Sequence, residues 1–128
     1  AEVTDEVLPL APGEALVLPG IGRISLQRCE GKGIWLAADE ELLLQWRDGG
    51  ERCRLAGHKR SKSLKKVLQE AQVPPWWRQC APLLYLGDEL LGLGGVGPCH
   101  SSRWGNSGQE AEAPWELVWE PIIASGYD

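Results

Sequence analysis

The sequence contains no methionine and no phenylalanine, and its apolar segments are all short. Runs such as Leu42 to Leu44 fall far below the roughly 20 apolar residues that a membrane-spanning helix needs, so we expect no membrane association. The first residues are acidic, which differs from the basic and then apolar start of a signal peptide. We therefore expect a cytoplasmic protein, and the missing methionine at position 1 predicts a segment of a longer chain.

Four cysteines, at positions 29, 53, 80 and 99, lack the Cys-x-x-Cys spacing that is typical of metal and redox motifs. An even number allows two disulfides, but nothing in the sequence indicates secretion, so we expect reduced, buried thiols. A zinc site that combines cysteines with His58 and His100 is the alternative. The absence of short paired spacing counts against it, and we predict no metal site.

Acidic residues outnumber basic ones by 18 to 13, and this net charge of −5 argues against a nucleic-acid partner. The charge is, however, unevenly distributed. Seven cations and no carboxylate lie between Arg52 and Gln69, which leaves six cations and eighteen acids, a net of −12, for the remaining residues. These seven are Arg52, Arg54, Lys59, Arg60, Lys62, Lys65 and Lys66. Because local charge density determines a binding surface, this segment could bind a polyanion.

Glycine and proline turns divide the first half of the chain into short apolar segments that are typical of antiparallel strands. We predict strands over residues 15–18, 24–28, 34–37, 42–47 and 52–55, connected as a β meander. Residues 1–13, with Pro9 and Pro12, are interpreted as an extended lead-in or linker. Residues 14–128 are interpreted as a single domain.

The apolar spacing changes from strand-like to helical after Ser61, where Leu64, Val67, Leu68 and Ala71 follow the i, i+3, i+4, i+7 pattern. We predict a helix over about 61–72, because Ser61 or Ser63 can cap its start and two prolines end it. A short second helix over about 75–80 would begin at the second of these prolines.

Beyond the helices, two apolar runs joined by Gly87-Asp88 predict a β-hairpin over 83–93. The Gly-, Ser- and Pro-rich stretch 94–114 is interpreted as a mobile loop, and 115–119 as a final strand. The predicted fold class is therefore α+β, with antiparallel sheets in a meander or sandwich-like arrangement and one amphipathic helix.

The predicted helix carries cations where a purely structural helix would avoid them. Lys62, Lys65 and Lys66 lie at its N-terminal end, where each cation opposes the helix dipole at a cost of about 0.3–1 kcal/mol. A docked polyanion would offset that cost, and its phosphates would release counterions, so binding would weaken with salt. The alternative is an ordinary solvated, lysine-rich helix face.

Two aromatic residues and two histidines complete the list of candidates. Trp76 and Trp77 beside Arg78 offer stacking platforms for RNA bases, although adjacent tryptophans on a short helix more often pack in a core. Neither His58 nor His100 has a nucleophile and a carboxylate nearby in the sequence, so we predict no catalytic residue.

Three segments, in this order, resemble the C-terminal domain of tRNA(Ile)-lysidine synthetases. They are Ser61-Lys62-Ser63-Leu64-Lys65-Lys66-Val67-Leu68-Gln69-Glu70, Val73-Pro74-Pro75-Trp76-Trp77-Arg78, and Pro82-Leu83-Leu84-Tyr85-Leu86-Gly87-Asp88-Glu89-Leu90. That family has a basic Ser–x–x–Leu–Lys–Lys helix, then Val/Ile–Pro–Pro–Trp–x–Arg, then Pro–Leu–Leu/Ile–x–x–Gly–Asp/Glu–x–Leu. The resemblance is strong over about residues 57–96, and the combination is specific although no single segment is.

The resemblance implies an α+β domain related to one in the β-subunit of phenylalanyl-tRNA synthetase. The whole enzyme of that family ligates lysine to the C2 atom of the wobble cytidine of an isoleucine tRNA, with ATP and magnesium. Its C-terminal region holds the tRNA, including the acceptor stem. Carried over by position, the tRNA-facing residues would be His58, Lys59, Arg60, Ser61, Lys62, Lys65, Lys66 and Arg78.

The sequence departs from the family at the catalytic signature, a Ser-Gly-Gly-x-Asp-Ser loop for the pyrophosphate of ATP, which is missing here. The stretch Gly92 to Gly97 lacks the serine and aspartate, and a Gly-rich stretch alone is a weak indication of nucleotide binding. We therefore expect no cofactor and no turnover in this chain alone, with tRNA(Ile) and the catalytic domain as partners. The alternative function is an interdomain packing module with little RNA contact.

Overall fold

The structure, a computed structural model, describes residues 7–78 and 80–122, without the side chain of Trp76. Its strands, in chain order, are β1 (Leu8–Leu10), β2 (Ala15–Leu18), β3 (Gly22–Arg28), β4 (Gly33–Ala37), β5 (Leu42–Gln45), β6 (Arg52–Cys53), β7 (Lys62–Ser63), β8 (Leu83–Leu86), β9 (Glu89–Leu93), β10 (Gly97–Pro98), β11 (Trp104–Gly105) and β12 (Glu112–Pro121). Two short helices, α1 (Leu64–Glu70) and α2 (Pro75–Arg78), separate β7 from β8. The α+β class predicted from the sequence is confirmed.

The strands form two five-stranded antiparallel sheets and a small ribbon. Sheet A has the strand order β1-β5-β8-β9-β10, sheet B has the order β11-β4-β12-β3-β2, and β6 pairs with β7. In sheet B, β12 pairs with both β3 and β4, so these two consecutive strands are not neighbours as they would be in a meander. The alternation within β3 is compatible with either neighbour, which is why the sequence pattern did not reveal the inserted strand.

Sheets A and B enclose the larger of two apolar clusters. Leu10, Leu44 and Leu84 of sheet A and Ile24 and Leu36 of sheet B are fully buried in it. Residues of both sheets meet in one cluster, which makes the arrangement sandwich-like, as predicted.

The second apolar cluster lies on the other face of sheet A, beneath α1. Leu64 and Leu68 of α1 pack there with Leu83 and Leu93 of the sheet. Leu83 and Leu84 are consecutive in β8 but belong to different clusters, because successive side chains of a strand point to opposite faces. The order of layers is therefore sheet B, sheet A and then α1, and α1 is an outer layer of the domain.

Local chemistry sets the ends of α1 and of the hairpin. The helix is shorter than the predicted span 61–72, because Ser63 has extended backbone angles and its hydroxyl accepts a hydrogen bond from the Lys66 N–H at 3.3 Å. The short second helix was predicted over 75–80 and is observed over Pro75–Arg78; Gln79 lies outside the described residues. The hairpin of β8 and β9 is confirmed, and Gly87 in its turn has a φ of 62°, which favours glycine.

The segments interpreted as an extended lead-in and as a mobile loop both contribute strands. The described part of the predicted lead-in contains β1, which pairs with β5, and Leu10 is buried; residues 1–6 lie outside the described residues. The stretch 94–114, predicted as a loop, contains β10, β11 and the start of β12. The final strand, predicted over 115–119, therefore begins earlier and spans Glu112–Pro121. No helix in the described part of the chain has the length and apolarity to cross a membrane.

Arg103 anchors the connection between β11 and the rest of sheet B. Its guanidinium donates hydrogen bonds to both carboxylate oxygens of Glu40, at 2.6 and 2.7 Å. It also donates to the Glu112 carboxylate at 2.8 Å and to the carbonyl oxygen of Trp35 at 3.2 Å. The hydrogen bonds from Arg103 hold the pKa of Glu40 below its ordinary value, although burial opposes this effect. A single arginine therefore fixes a stretch whose composition resembles a flexible loop.

A Glu40→Gln variant is expected to unfold more easily than the unchanged protein at neutral pH, by about 1–3 kcal/mol, because it loses charge-assisted hydrogen bonds. The folded state lowers the pKa of Glu40, so this stabilisation is complete above the unfolded pKa of about 4.3 and is lost as the pH falls below it. Urea unfolding of both proteins between pH 3 and pH 7 measures the difference. A difference that stays constant over this range would contradict the role of the ionised Glu40.

Candidate nucleic-acid interface

Two arginines hold together the ends of the loop 54–61, which carries Lys59 and Arg60. The ribbon pairs Arg52 with Ser63 and Cys53 with Lys62, which brings the two ends of the loop 54–61 together. The guanidinium of Arg52 donates to the carbonyl oxygen of Ser61 at 3.1 Å, and Arg54 Nε donates to the carbonyl oxygen of His58 at 2.6 Å. Both arginines therefore support the loop, a role that the count of cations alone did not distinguish.

Helix α1 adds two exposed cations beside this loop. Lys65 and Lys66 are exposed, whereas Leu64, Val67 and Leu68 face sheet A. Neither lysine forms an ion pair with a carboxylate of the described residues, and the first turn of α1 contains no acid. The packing of the apolar face therefore directs both ammonium groups away from the core.

Lys62 differs from the other cations between Arg52 and Gln69 because it forms an ion pair with a carboxylate. Its Nζ lies 2.7 Å from Oε1 of Glu70, and the hydrogen bond from Lys62 holds the pKa of Glu70 below its ordinary value. The pair has no net charge, so Lys62 contributes less positive potential than the sequence suggests. Lys62 and Glu70 are eight positions apart, and Lys62 lies outside the helix, so no helical spacing indicates this contact.

Two open depressions meet at this ion pair. One is lined by residues 57–60 and Lys62, and the other by Ser63, Lys65, Lys66, Gln69 and Glu70. The predicted residues His58, Lys59, Arg60 and Ser61 are all exposed on the loop. We call residues 58–62 together with Lys65 and Lys66 the basic face. The structure brings all of the predicted tRNA-facing residues except Arg78 into this one surface.

Arg78 and Trp77 take part in the packing of the domain. Arg78 is half-buried, its Nε donates to the carbonyl oxygen of Val73 at 2.9 Å, and its own carbonyl oxygen accepts from Arg47 at 3.2 Å. Trp77 packs against the larger apolar cluster. The side chain of Trp76 lies outside the described residues, so stacking by Trp76 remains a prediction.

A cleft of about 340 Å³ at the C-terminal end of α1 was not predicted. Its walls include Trp77, Trp119, Gly94 and Gly95. A Cβ on Gly94 would lie 2.5 Å from the ring of Pro82, so a larger residue there would not fit without a shift. The two tryptophans are far apart in sequence, so no local pattern indicates that they share a cleft.

The described residues offer little for metal chemistry at the basic face. Across 7–78 and 80–122, no three His, Cys, Asp or Glu side chains come together in a group that could hold a metal ion. All four cysteines are free thiols, and Cys53, Cys80 and Cys99 are buried. The zinc alternative with His58 and His100 therefore gains no support from this part of the chain. What the fold and the site define is an α+β domain with an exposed basic face.

Comparison with known proteins identifies the family. The family profile described as "TilS substrate C-terminal domain" matches residues 42–119. The tRNA(Ile)-lysidine synthase of Coxiella burnetii is 38% identical over 98 residues, which are 75% of this chain and 21% of that protein. The tRNA(Ile)-lysidine synthase of Yersinia pseudotuberculosis serotype I is 31% identical over 128 residues, which are 98% of this chain and 26% of that protein.

A solved structure agrees with this assignment at the level of the fold. The crystal structure of a TilS C-terminal domain superposes with a TM-score of 0.59 and 22% sequence identity, covering 93% of this chain and all of that one. The chain belongs to the TilS substrate C-terminal domain family, and the resemblance seen in its three motifs is confirmed. It spans about a quarter of the length of the curated relatives named above.

Proposed function

We propose that this chain is a tRNA-binding domain that helps hold tRNA(Ile) in the cytoplasm, while a separate catalytic domain ligates lysine to the wobble cytidine with ATP. The observation that carries the proposal is the basic face, where exposed cations from one loop and one helix form a single surface. The matched relatives are tRNA(Ile)-lysidine synthases, and their names indicate which class of RNA to propose as the ligand.

The distribution of charge gives the RNA one favourable direction of approach. Lys59, Arg60, Lys65 and Lys66 are exposed and form no ion pair with a carboxylate of the described residues. Outside the segment from Arg52 to Gln69, acids exceed cations by twelve, so most other surfaces repel phosphate. The acidic total charge therefore favours orientation of the RNA and does not prevent its binding.

The shape of the basic face fits the backbone of a duplex better than a single base. Both depressions are open and are lined by polar or charged side chains. A-form RNA presents its phosphates and 2′-hydroxyls on an accessible surface, and proteins recognise it mainly by shape. We therefore propose a duplex stem, such as the acceptor stem, as the part of tRNA(Ile) that contacts this face.

The proposal is tested by titrating the chain with an isoleucine tRNA transcript at several salt concentrations. Contacts from four unpaired cations to phosphates are expected to give a plot of log Kd against log salt with a slope of about 3 to 4. An unrelated tRNA with an intact acceptor stem is expected to bind with similar affinity, because the contact reads backbone and shape. Binding that is absent at low salt, or that does not depend on salt, would contradict the proposal.

Absence of RNA binding would favour the alternative, an interdomain packing module. One observation supports that alternative: Val17, on the edge strand β2 of sheet B, is 69% exposed. An exposed apolar residue on an edge strand is a point where another polypeptide can pair. Binding of the chain to the catalytic domain, with a Val17→Lys variant for comparison, separates the two functions.

A further inference from the structure

Cys53 and Cys99 form a buried pair of thiols beneath the loop of the basic face. Their Sγ atoms lie 3.0 Å apart, although the residues are 46 positions apart in the sequence. Cys53 belongs to β6, and Cys99 follows β10. The side chains are 3% and 2% exposed, so the two thiols face each other within the second apolar cluster.

Backbone hydrogen bonds hold the two cysteine segments together independently of the thiols. An isolated antiparallel bridge pairs Leu55 with Cys99. The His100 N–H donates to the carbonyl oxygen of Arg54 at 2.7 Å, and the Ala56 N–H donates to the carbonyl oxygen of Pro98 at 3.1 Å. The short distance between the sulfur atoms is therefore a property of the fold and not of a freely moving side chain.

A polar cleft gives small reagents a route to this pair. The cleft has a volume of about 370 Å³, and both cysteines contribute to its lining, together with Arg54, Tyr85 and His100. Cys80, by contrast, is packed in the larger cluster, and the Cys29 thiol donates to the carbonyl oxygen of Lys32 at 3.8 Å. Within the part of the chain that the structure describes, Cys53 and Cys99 are the two thiols placed to react with each other.

We propose that Cys53 and Cys99 form a thiol–disulfide exchange site that takes a small-molecule disulfide as its oxidant. The Cys53 thiolate attacks one sulfur of that disulfide, its S–S bond breaks, and one small thiol leaves as Cys53 becomes a mixed disulfide. The Cys99 thiolate then attacks Sγ of Cys53, the mixed bond breaks, and a second small thiol leaves. The two cysteines lose two electrons and two protons, and the small disulfide gains both.

The hydrogen bond between the two sulfur atoms favours a thiolate within the pair, because it lowers the pKa of Cys53. Since the thiolate is the nucleophile, we assign the first attack to Cys53 and the resolving attack to Cys99. A reducing compartment keeps the pair as two thiols, and a rise in the concentration of the small-molecule disulfide converts the pair into a disulfide.

The product would restrain the segment that carries the basic face. A bond between residues 53 and 99 closes a loop that contains α1, α2 and the whole basic face. Such a bond stabilises a protein largely by restricting its unfolded chain. This inference goes beyond the proposed function, because it concerns the stability of the folded segment that carries the basic face and does not require that RNA bind there.

The experiment incubates the folded chain in buffers of increasing ratio of oxidised to reduced glutathione and traps the remaining thiols by alkylation. The expected product has lost two hydrogens in its intact mass and yields a peptide that links Cys53 to Cys99. Its thermal midpoint is expected to rise by about 10 °C, and amide exchange between the two cysteines is expected to slow. Addition of a dithiol reductant is expected to reverse all three changes.

Two variants make the result specific. Cys29→Ser is expected to form the same linked peptide, because Cys29 lies outside the pair. Cys53→Ser is expected to show no rise in thermal midpoint at the same glutathione ratio, with circular dichroism as the check on its fold. The proposal is overturned if the unchanged chain accumulates only glutathione adducts, or if Cys53 and Cys99 stay reduced in the folded chain at every glutathione ratio. Because the unchanged chain decides the outcome, an unstable variant does not affect the conclusion.

Discussion

The Lys65→Ala/Lys66→Ala double variant is expected to bind an isoleucine tRNA transcript about 60-fold more weakly than the unchanged chain at 0.1 M salt. Counterion release at one phosphate raises the association constant about eightfold at 0.1 M salt relative to 1 M salt. The loss of two such contacts multiplies the two factors. The slope of log Kd against log salt is expected to fall by about 2. Fluorescence anisotropy over a range of salt concentrations measures both quantities.

The thermal midpoint of the lysine variant is expected to change little, because both side chains are exposed and neither forms an ion pair with a described carboxylate. Arg28→Ala/Lys32→Ala is the matched control, since it removes two exposed positive charges outside the basic face, neither of which forms an ion pair with a described carboxylate. Its affinity is expected to change by less than about threefold. Equal losses in the two variants would mean that total charge, and not the basic face, determines binding.

A Leu68→Ala variant is expected to lower the free energy of unfolding by about 2–5 kcal/mol, the usual cost of removing a buried leucine side chain. Leu68 is fully buried between α1 and sheet A, where it packs in the second apolar cluster. Because α1 packs on sheet A through that cluster, amide exchange in the helix is expected to accelerate more than exchange in sheet B. Urea unfolding and hydrogen exchange provide the two measurements.

The neighbouring Gln69→Ala substitution is the control for Leu68→Ala. Gln69 is exposed on the same helix, and its replacement is expected to change the free energy of unfolding by less than about 0.5 kcal/mol. If both substitutions had the same small effect, α1 would not be packed on sheet A. Leu68→Ala can also be tested for RNA binding at a temperature where the domain stays folded. Weaker binding there would mean that the packing of α1 on sheet A positions the lysines.

The features that the sequence predicted well depend on contacts between nearby residues. The spacing of Leu64, Val67 and Leu68 defines a helix face without any knowledge of the rest of the chain, and Gly87 marks a tight turn in the same way. The basic face was also foreseen, because its cations are contiguous in sequence and one loop with one short helix keeps them together. Local periodicity and local charge therefore accounted for most of the candidate surface.

The features that the sequence did not predict depend on distant partners. The insertion of β12 between β3 and β4, the three-residue network of Arg103 with Glu40 and Glu112, and the pairing of Lys62 with Glu70 leave no periodic trace. The hydrogen bond from Arg78 Nε to the carbonyl oxygen of Val73 is another such contact, and RNA contact by Arg78 stays a prediction. Such contacts follow from the tertiary arrangement, which no window of neighbouring residues contains.

The central position of β12 in sheet B has a consequence for synthesis on the ribosome. β3 and β4 leave the exit tunnel long before β12, so during translation each exposes an inner edge that has no strand to pair with. Sheet A faces a related delay, because β5 pairs with β1 on one edge and its other edge must wait for β8. Closure of the domain is therefore a late, concerted event, and nascent chains that stall before residue 112 present open strand edges to chaperones and to one another.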